Sequence, residues 1–321
     1  MNQTTAKTGV KYFESERIFK CIEGNSVLRS MLLSLLFFVM SLGGVANATT
    51  LNQKFFIPLP EQEVRDGLRS LYSSTGNDIR SVISMSVPFS GTIFHYDHWE
   101  DGYEADIENP VQSTTEIWGD GDASNGCEPA ITTCTDAADV LVSGDVISLD
   151  NEVVTLPRNP SDILFDGRDF IGSNYAVAMS RAAWATSPGT VLAGAVEVYA
   201  VNKYGTQFTI PVGQDIDSGH QNQMFQYVDM HILAAQDATT VEIDADANGA
   251  VDTTILLNKG ESYHVNGGVL VGGTVDASAP VQVHVMTGDV GAYYESRWFT
   301  MYPTEQWSDD YYTPVGTASD G

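Results

Sequence analysis

The side chains best placed to do chemistry in this chain are carboxylates gathered into two short stretches. Val241 to Leu257 reads VEIDADANGAVDTTILL and contains Asp244-x-Asp246-x-Asn248-Gly249-x-x-Asp252. Oxygen-bearing residues on alternate positions, with glycine at the bend, suit a hard divalent cation and resemble the first part of a calcium loop. The pattern then departs from the EF-hand: Ile255 stands where the bidentate glutamate should fall, and neither flank reads as a helix. The stretch reads first as a solvated acidic hairpin, with a calcium site at Asp244, Asp246, Asn248 and Asp252 as the competing reading. A loop at Asn248-Gly249-Ala250 sets Asp246 opposite Asp252 and turns Val241, Ile243, Ile255 and Leu257 toward a core.

The other stretch, Phe94 to Glu108, reads FHYDHWEDGYEADIE, with six carboxylates around one Asp-Gly. A two-residue turn at Asp101-Gly102 pairs Trp99 with Glu104 and Asp97 with Asp106. Alternation then puts Phe94, Tyr96, Tyr103 and Ile107 on a core face, and His95, Asp97, Glu104, Asp106 and Glu108 on a solvated one. Like charges directly opposite destabilise unless water or a cation separates them. Asp97, Asp101, Glu104 and Asp106 therefore form a second acidic group, although Trp99 replaces the middle ligand. His95 and His98 fall on opposite faces of the strand, which argues against zinc.

Other chemistry is sparse. Cys127 and Cys134 stand in GCEPAITTCTD, where a disulfide closing a surface loop is the simplest reading. The chain has no zinc-protease, nucleophile-elbow or phosphate-loop motif. Asp217-Ser218-Gly219 lacks the second triplet that an aspartic dyad needs and reads as a turn. Paired carboxylates of a secreted carbohydrate-active enzyme remain the alternative function, with no pair singled out. Near the C-terminus Tyr293, Tyr294, Trp298 and Trp307 supply aromatics that stack on sugar rings, anchor a protein, or fill a core.

The elements that must position these residues are strands. VISMSV (82–87), VLAGAVEVYAV (191–201), TTVEID (239–244), TTILLN (253–258) and PVQVHVMTG (280–288) alternate at period two between turn-forming residues, so the fold class is all-β. Helix is confined to 61–72, where Val64, Leu68 and Leu71 share a face. The order of elements repeats: 91–106 resembles 239–254, LVSGDVISLD (141–150) matches LNKGESYHVN (257–266), and 171–182 matches 272–288. The pattern implies duplicated antiparallel four-stranded units, β-sandwich-like, with propeller-like blades as the alternative. The expected division is a leader at 1–48, a first unit at 49–182 carrying the cysteine loop, a second at 183–316, and a linker at 317–321.

Basic residues before the apolar run MLLSLLFFVMSLGGV (31–45), followed by Ala46-Asn47-Ala48, read as a signal peptide cleaved near Ala48. The expected location is secreted or cell-surface, with membrane contact only during export. Residues 1–48 hold five Lys/Arg and three Asp/Glu; without them ten basic and thirty-nine acidic residues remain, a formal charge of −29. Such a charge disfavours nucleic acid and anionic membranes as partners.

Four segments carry a family resemblance: YDHWEDGYEADIENP (96–110), STTEIWGDGD (113–122), 163–199 and 281–316. They are similar to the N-terminal exported region of large bacterial surface proteins with extracellular repeats. Gly260-Glu261, Gly273-Thr274, Ala279-Pro280-Val281 and Thr304-Glu305-Gln306 resemble, more distantly, the N-terminal domain of the IgG-Fc-binding protein family. The resemblance implies a non-catalytic adhesion or interaction module whose partner is an extracellular protein or glycan.

Overall fold

The computed structural model describes residues 50–154, 157–216, 223–293 and 296–310. The leader, the Asp217-Ser218-Gly219 turn, Tyr294 and the 317–321 linker lie outside them. In the first half β1 (Gln53–Phe56), β6 (Phe170–Ser173), β3 (Phe94–Asp97) and β4 (Glu116–Trp118) form one antiparallel sheet in that order. β5 (Val146–Val153), β2 (Ile79–Ser86), β7 (Met179–Ala185) and β8 (Ala193–Glu197) form a second. Period-two patterning decides what each buries: along β2, Ile79, Ser81, Ile83 and Met85 point inward. Phe94, Tyr96, Trp118 and Ile171 of the first sheet meet Ile83, Met85, Ile147 and Met179 of the second in one core. Each such side chain contributes about 1.5–3 kcal/mol on burial.

The second half holds β9 (Gly205–Thr209), β10 (Tyr227–Ala234), β11 (Thr239–Asp244), β12 (Thr253–Leu257), β13 (Ser262–Val265), β14 (Thr274–Gly288) and β15 (Ser296–Thr300). β14 serves two layers. Its first part pairs with β11 and β9; the register shifts between Asp276 and Val281, and the second part pairs with β10 and β15. Pro280 sits in the irregular stretch, where a missing N–H does least harm.

The two halves share one topology. Replacing β1–β5 by β9–β13, β6 and β7 by the two parts of β14, and β8 by β15 turns each sheet order of the first half into one of the second. The likeness reaches single hydrogen bonds. Gly144 N donates to Val87 O and Gly260 N to Ala234 O, each at 2.8 Å. Val142 N meets the Asp145 carboxylate at 2.8 Å and Asn258 N the Glu261 carboxylate at 2.7 Å. The architecture is thus a duplicated sandwich, not propeller blades. A division at 182 cuts through β7, and β8 still pairs with β7.

Helix α1 (Glu61–Leu71) joins the halves. Val64, Leu68 and Leu71, the expected face, pack with Ile79, Ala183 and Ala185 of the first sandwich and with Tyr227 and Met286 of the second. Gly67 permits the approach, since a Cβ there would lie 2.6 Å from Asp229 Oδ2.

Candidate functional site

A cleft of about 360 Å³ opens where the start of α1 meets both sandwiches, lined by Glu61, Glu63, Trp99, Arg158, Asp166 and Arg168 among others. Its acids already have partners. Glu61 accepts from Arg181 Nη2 at 2.6 Å, from Ser81 Oγ at 3.0 Å and from Gly167 N at 3.2 Å. Asp166 accepts from Trp99 Nε1 at 2.8 Å and from Arg158 Nε, while Arg158 also reaches Glu100. Burial, with Glu61 and Asp169 close by, pushes the Asp166 carboxyl well above the usual range. The Arg168 guanidinium lies 4.3 Å from the centre of the Trp99 ring and covers the face a sugar would use.

Beside this cleft lies a buried polar cluster that the sequence reading did not single out. Asp229 and His231 project from β10 onto the face beneath α1, and His264 from β13 and His284 from β14 stand in register with His231. Asp229 Oδ2 accepts from His264 Nε2 at 2.9 Å, Tyr227 OH at 3.1 Å and His231 Nε2 at 3.2 Å, and Oδ1 accepts from Met286 N at 2.9 Å. His231 Nδ1 meets Glu63 of α1 at 3.0 Å. Burial opposes charge on His231, but Asp229 and Glu63 carry its pKa up to about 10. Burial likewise opposes ionisation of Asp229, yet the two histidines hold it well below the usual carboxylate range. His284, buried and facing the His231 charge, falls to about 3.

One ligand atom from each of Asp229, His231 and His264 lies within 4.8 Å of the others. The two imidazoles, however, stack 4.3 Å apart at 6°. Parallel rings send their nitrogen lone pairs side by side, not toward one ion, so the arrangement is that of an ion-paired anchor for α1. D-x-H in YVDMHILA, with acids at Glu61 and Glu63, was the available sequence signal.

The two acidic stretches differ from each other. Asp244, Asp246 and Asp252 do converge, with an oxygen from each within 4.8 Å of the others. Asn248 closes the loop: its N–H reaches Asp244 at 3.1 Å and its side-chain amide reaches Asp246 at 2.9 Å. The register is corrected by two residues, since Ile243 pairs with Thr253 and Asp246 does not oppose Asp252. An even shift preserves faces, so Val241, Ile243 and Leu257 are buried as expected.

The expected hairpin at Asp101-Gly102 does not form. β3 ends at Asp97 and pairs with β4 and β6, leaving 98–115 as a loop. Its acids act as staples: Asp97 accepts Glu104 N at 2.9 Å, Glu104 accepts Val111 N at 2.7 Å, Asp101 takes Thr114 Oγ1, and Asp106 takes Asn109 Nδ2 at 2.8 Å. His95, Asp97 and Glu104 are buried, not solvated. Around them the turn Asn258–Glu261 seats against the loop, with Lys259 Nζ 4.7 Å from the Tyr103 ring centre and 4.2 Å from that of Phe170. His95 and His98 bond to separate carbonyls, of Ile107 and Leu164, and do not converge.

Cys127 and Cys134 form a disulfide. The C-terminal aromatics divide: Trp298 is core, packed over Gly194, whereas Tyr293 and Trp307 are about half exposed. Among the described residues no helix is long and apolar enough to cross a membrane.

The fold and these sites define a tandem β-sandwich chain whose cleft acids are held in structural networks. A family model described as IgGFc binding protein matches residues 193–319, a span that takes in β8 and the whole second sandwich. No curated protein and no solved structure matches the chain.

Proposed function

We propose that this chain is an exported, non-catalytic module that binds an extracellular protein through its β-sandwich framework. The observation that carries the reading is the coincidence of the IgGFc binding match with a complete sandwich. The disulfide supports an oxidising, extracytoplasmic location. Adhesion at a bacterial surface is the finer form of the reading, supported by the resemblance of 96–122 and 163–199 to exported surface proteins. Calcium at Asp244, Asp246 and Asp252 belongs to it as an element that stiffens one loop.

The carbohydrate-active alternative draws less support. A glycosidase needs one carboxyl free to donate and another free to attack or to activate water. Both Glu61 and Asp166 are almost fully buried and hydrogen-bonded to arginine.

The test is surface plasmon resonance of the full chain over immobilised IgG Fc, IgG Fab and a panel of polysaccharides. Saturable binding to Fc supports the reading. Binding confined to polysaccharide replaces it with glycan recognition, and silence on every surface removes it.

A further inference from the structure

Equivalent turns in the two sandwiches have different surroundings. In the second, Asn258–Glu261 is docked: Lys259 enters the Tyr103 and Phe170 rings, and Gly260 O accepts from Arg168 Nε at 3.0 Å. In the first, Val142–Asp145 keeps the same hydrogen bonds but meets solvent. Ser143 N bonds Ser90 Oγ at 3.0 Å as Lys259 N bonds Asp237 Oδ1 at 3.0 Å, so the neighbouring loops correspond as well.

At this bare end Phe89 is 55% exposed, Val142 47% and Tyr175 42%, and the two aromatic rings lie 5.6 Å apart at 56°. Single exposed apolar residues are ordinary on protein surfaces. Here two aromatics touch on loops that hydrogen bonds hold in place. Thr92 Oγ1 donates to Phe89 O at 2.6 Å, Asn174 Nδ2 to Gly91 O at 3.0 Å, and Ser143 Oγ to Pro88 O at 2.8 Å. Rings fixed before binding lose little conformational freedom on contact, the property of interface anchors.

We propose that Phe89, Val142 and Tyr175 form a docking surface for a lysine- or arginine-bearing segment of an extracellular protein, with the cation seated against the rings. This names a surface and a partner chemistry for the protein-binding reading and rests on it. Two observations select a cationic occupant. The chain carries a formal charge of −27, which draws basic segments and repels acidic ones. The equivalent turn of the second sandwich is itself held by a cation against aromatic rings, here with the roles exchanged.

The experiment titrates fluorescently labelled octa-arginine into the full chain at 150 mM salt, which screens diffuse attraction. It compares the wild type with F89S/Y175S and with E242Q/D276N, whose changed acids are exposed on β11 and β14 of the other sandwich. The expected result is binding weakened about tenfold in F89S/Y175S at an unchanged melting temperature, with less than a twofold change in E242Q/D276N. Absent wild-type binding, or equal weakening in the two variants, overturns the proposal. So does sedimentation showing that F89S/Y175S abolishes a dimer, which assigns the surface to a second copy of the chain. The Fc and polysaccharide surfaces report separately on protein binding as such, so loss of one reading is not mistaken for loss of the other.

Discussion

The two sandwiches share a strand order, yet their corresponding sheets face opposite environments. The outer face of β13-β10-β14-β15 is buried under α1 and carries Tyr227, Asp229, His231, His284 and Met286. The corresponding face of β5-β2-β7-β8 presents Arg80, Ser84, Val146, Ser148 and Asp150, with Arg80 and Asp150 paired at 2.6 Å across an exposed surface. Duplication has kept the topology and the turn hydrogen bonds, which the backbone requires wherever it sits. It has not kept the outward side chains, which answer to whatever covers them. The second sandwich owes the burial of its ion pairs to α1, and breaking those contacts separates what is intrinsic to a copy from what the joining helix adds.

The largest effect is expected at Asp229. Asp229→Ala leaves charged His231 in a dry interface, and removing one partner of a buried pair costs about 3–5 kcal/mol. Urea unfolding measures it, with Asp150→Ala on the open face as the contrast, at no more than about 1 kcal/mol. The pair also sets a pH dependence. The folded pKa of His231, about 10, exceeds its unfolded value of about 6.5. Its contribution is therefore complete below about pH 6.5 and is lost as pH rises through about 10. Asp229 is depressed when folded, so its contribution holds above about pH 4 and is lost at lower pH. His231→Gln should flatten the alkaline limb. A wild-type stability that does not fall between pH 7 and 10 would rule out the charged imidazole.

A smaller effect separates the two turns. Gly144 and Gly260 both have positive φ, 102° and 71°. A Cβ at Gly144 meets nothing within 4 Å, whereas one at Gly260 runs into Tyr103. Gly144→Ala should cost about 1 kcal/mol of backbone strain. Gly260→Ala should cost about 2 kcal/mol more because it also pushes the sandwiches apart. Equal losses in thermal unfolding would mean that the docked turn bears no part of the interface. Lys259→Met, which keeps the stem and removes the cation, should cost about 1 kcal/mol.

The contrast between buried and open copies also explains what the sequence could reveal. Strand periodicity depends on one face being buried by the partner sheet, and each copy supplies that sheet itself; β2, β11, β12 and β14 were therefore legible, as was the repeat. The amphipathic stripe of α1 was legible for the same reason. The hairpin at Asp101-Gly102 failed because its evidence was local. The turn chemistry was adequate, but Asp97 and Glu104 hold the backbone of a long loop, and β4 lies beyond it. Burial of His95 and Asp97 was invisible because the 98–115 loop folds back over them: His95 bonds Ile107 O, and Asp97 accepts from Glu104 N and Thr115 Oγ1. Asp229, His231 and His264 escaped notice likewise: two strands and a helix bring the network together, and no short motif spans them.

The two acidic loops give the finest comparison: carboxylates in both accept backbone N–H groups, Asp252 from Ala245 and Asp244 from Gly249 at 2.8 Å each, but Asp244, Asp246 and Asp252 also converge on one another. In 98–115 the buried acids accept backbone N–H groups or a threonine hydroxyl, and the exposed Asp106 bonds Glu108 N and Asn109. In 244–252 three carboxylates face one another at the loop mouth, and a cation there would exchange mutual repulsion for coordination. An ion that binds only the folded chain stabilises it by mass action, about 1 kcal/mol at a few times its dissociation constant. For a chain of this size that corresponds to a rise of about 2–4 °C in melting temperature. Millimolar calcium against excess chelator should show this rise in the wild type and in Asp106→Asn, and lose it in Asp246→Ala. A shift that survives Asp246→Ala would place the ion elsewhere. No shift in any of the three would leave the second loop as hydrated surface closed by Asn248, and the two loops would then differ only in being covered or bare.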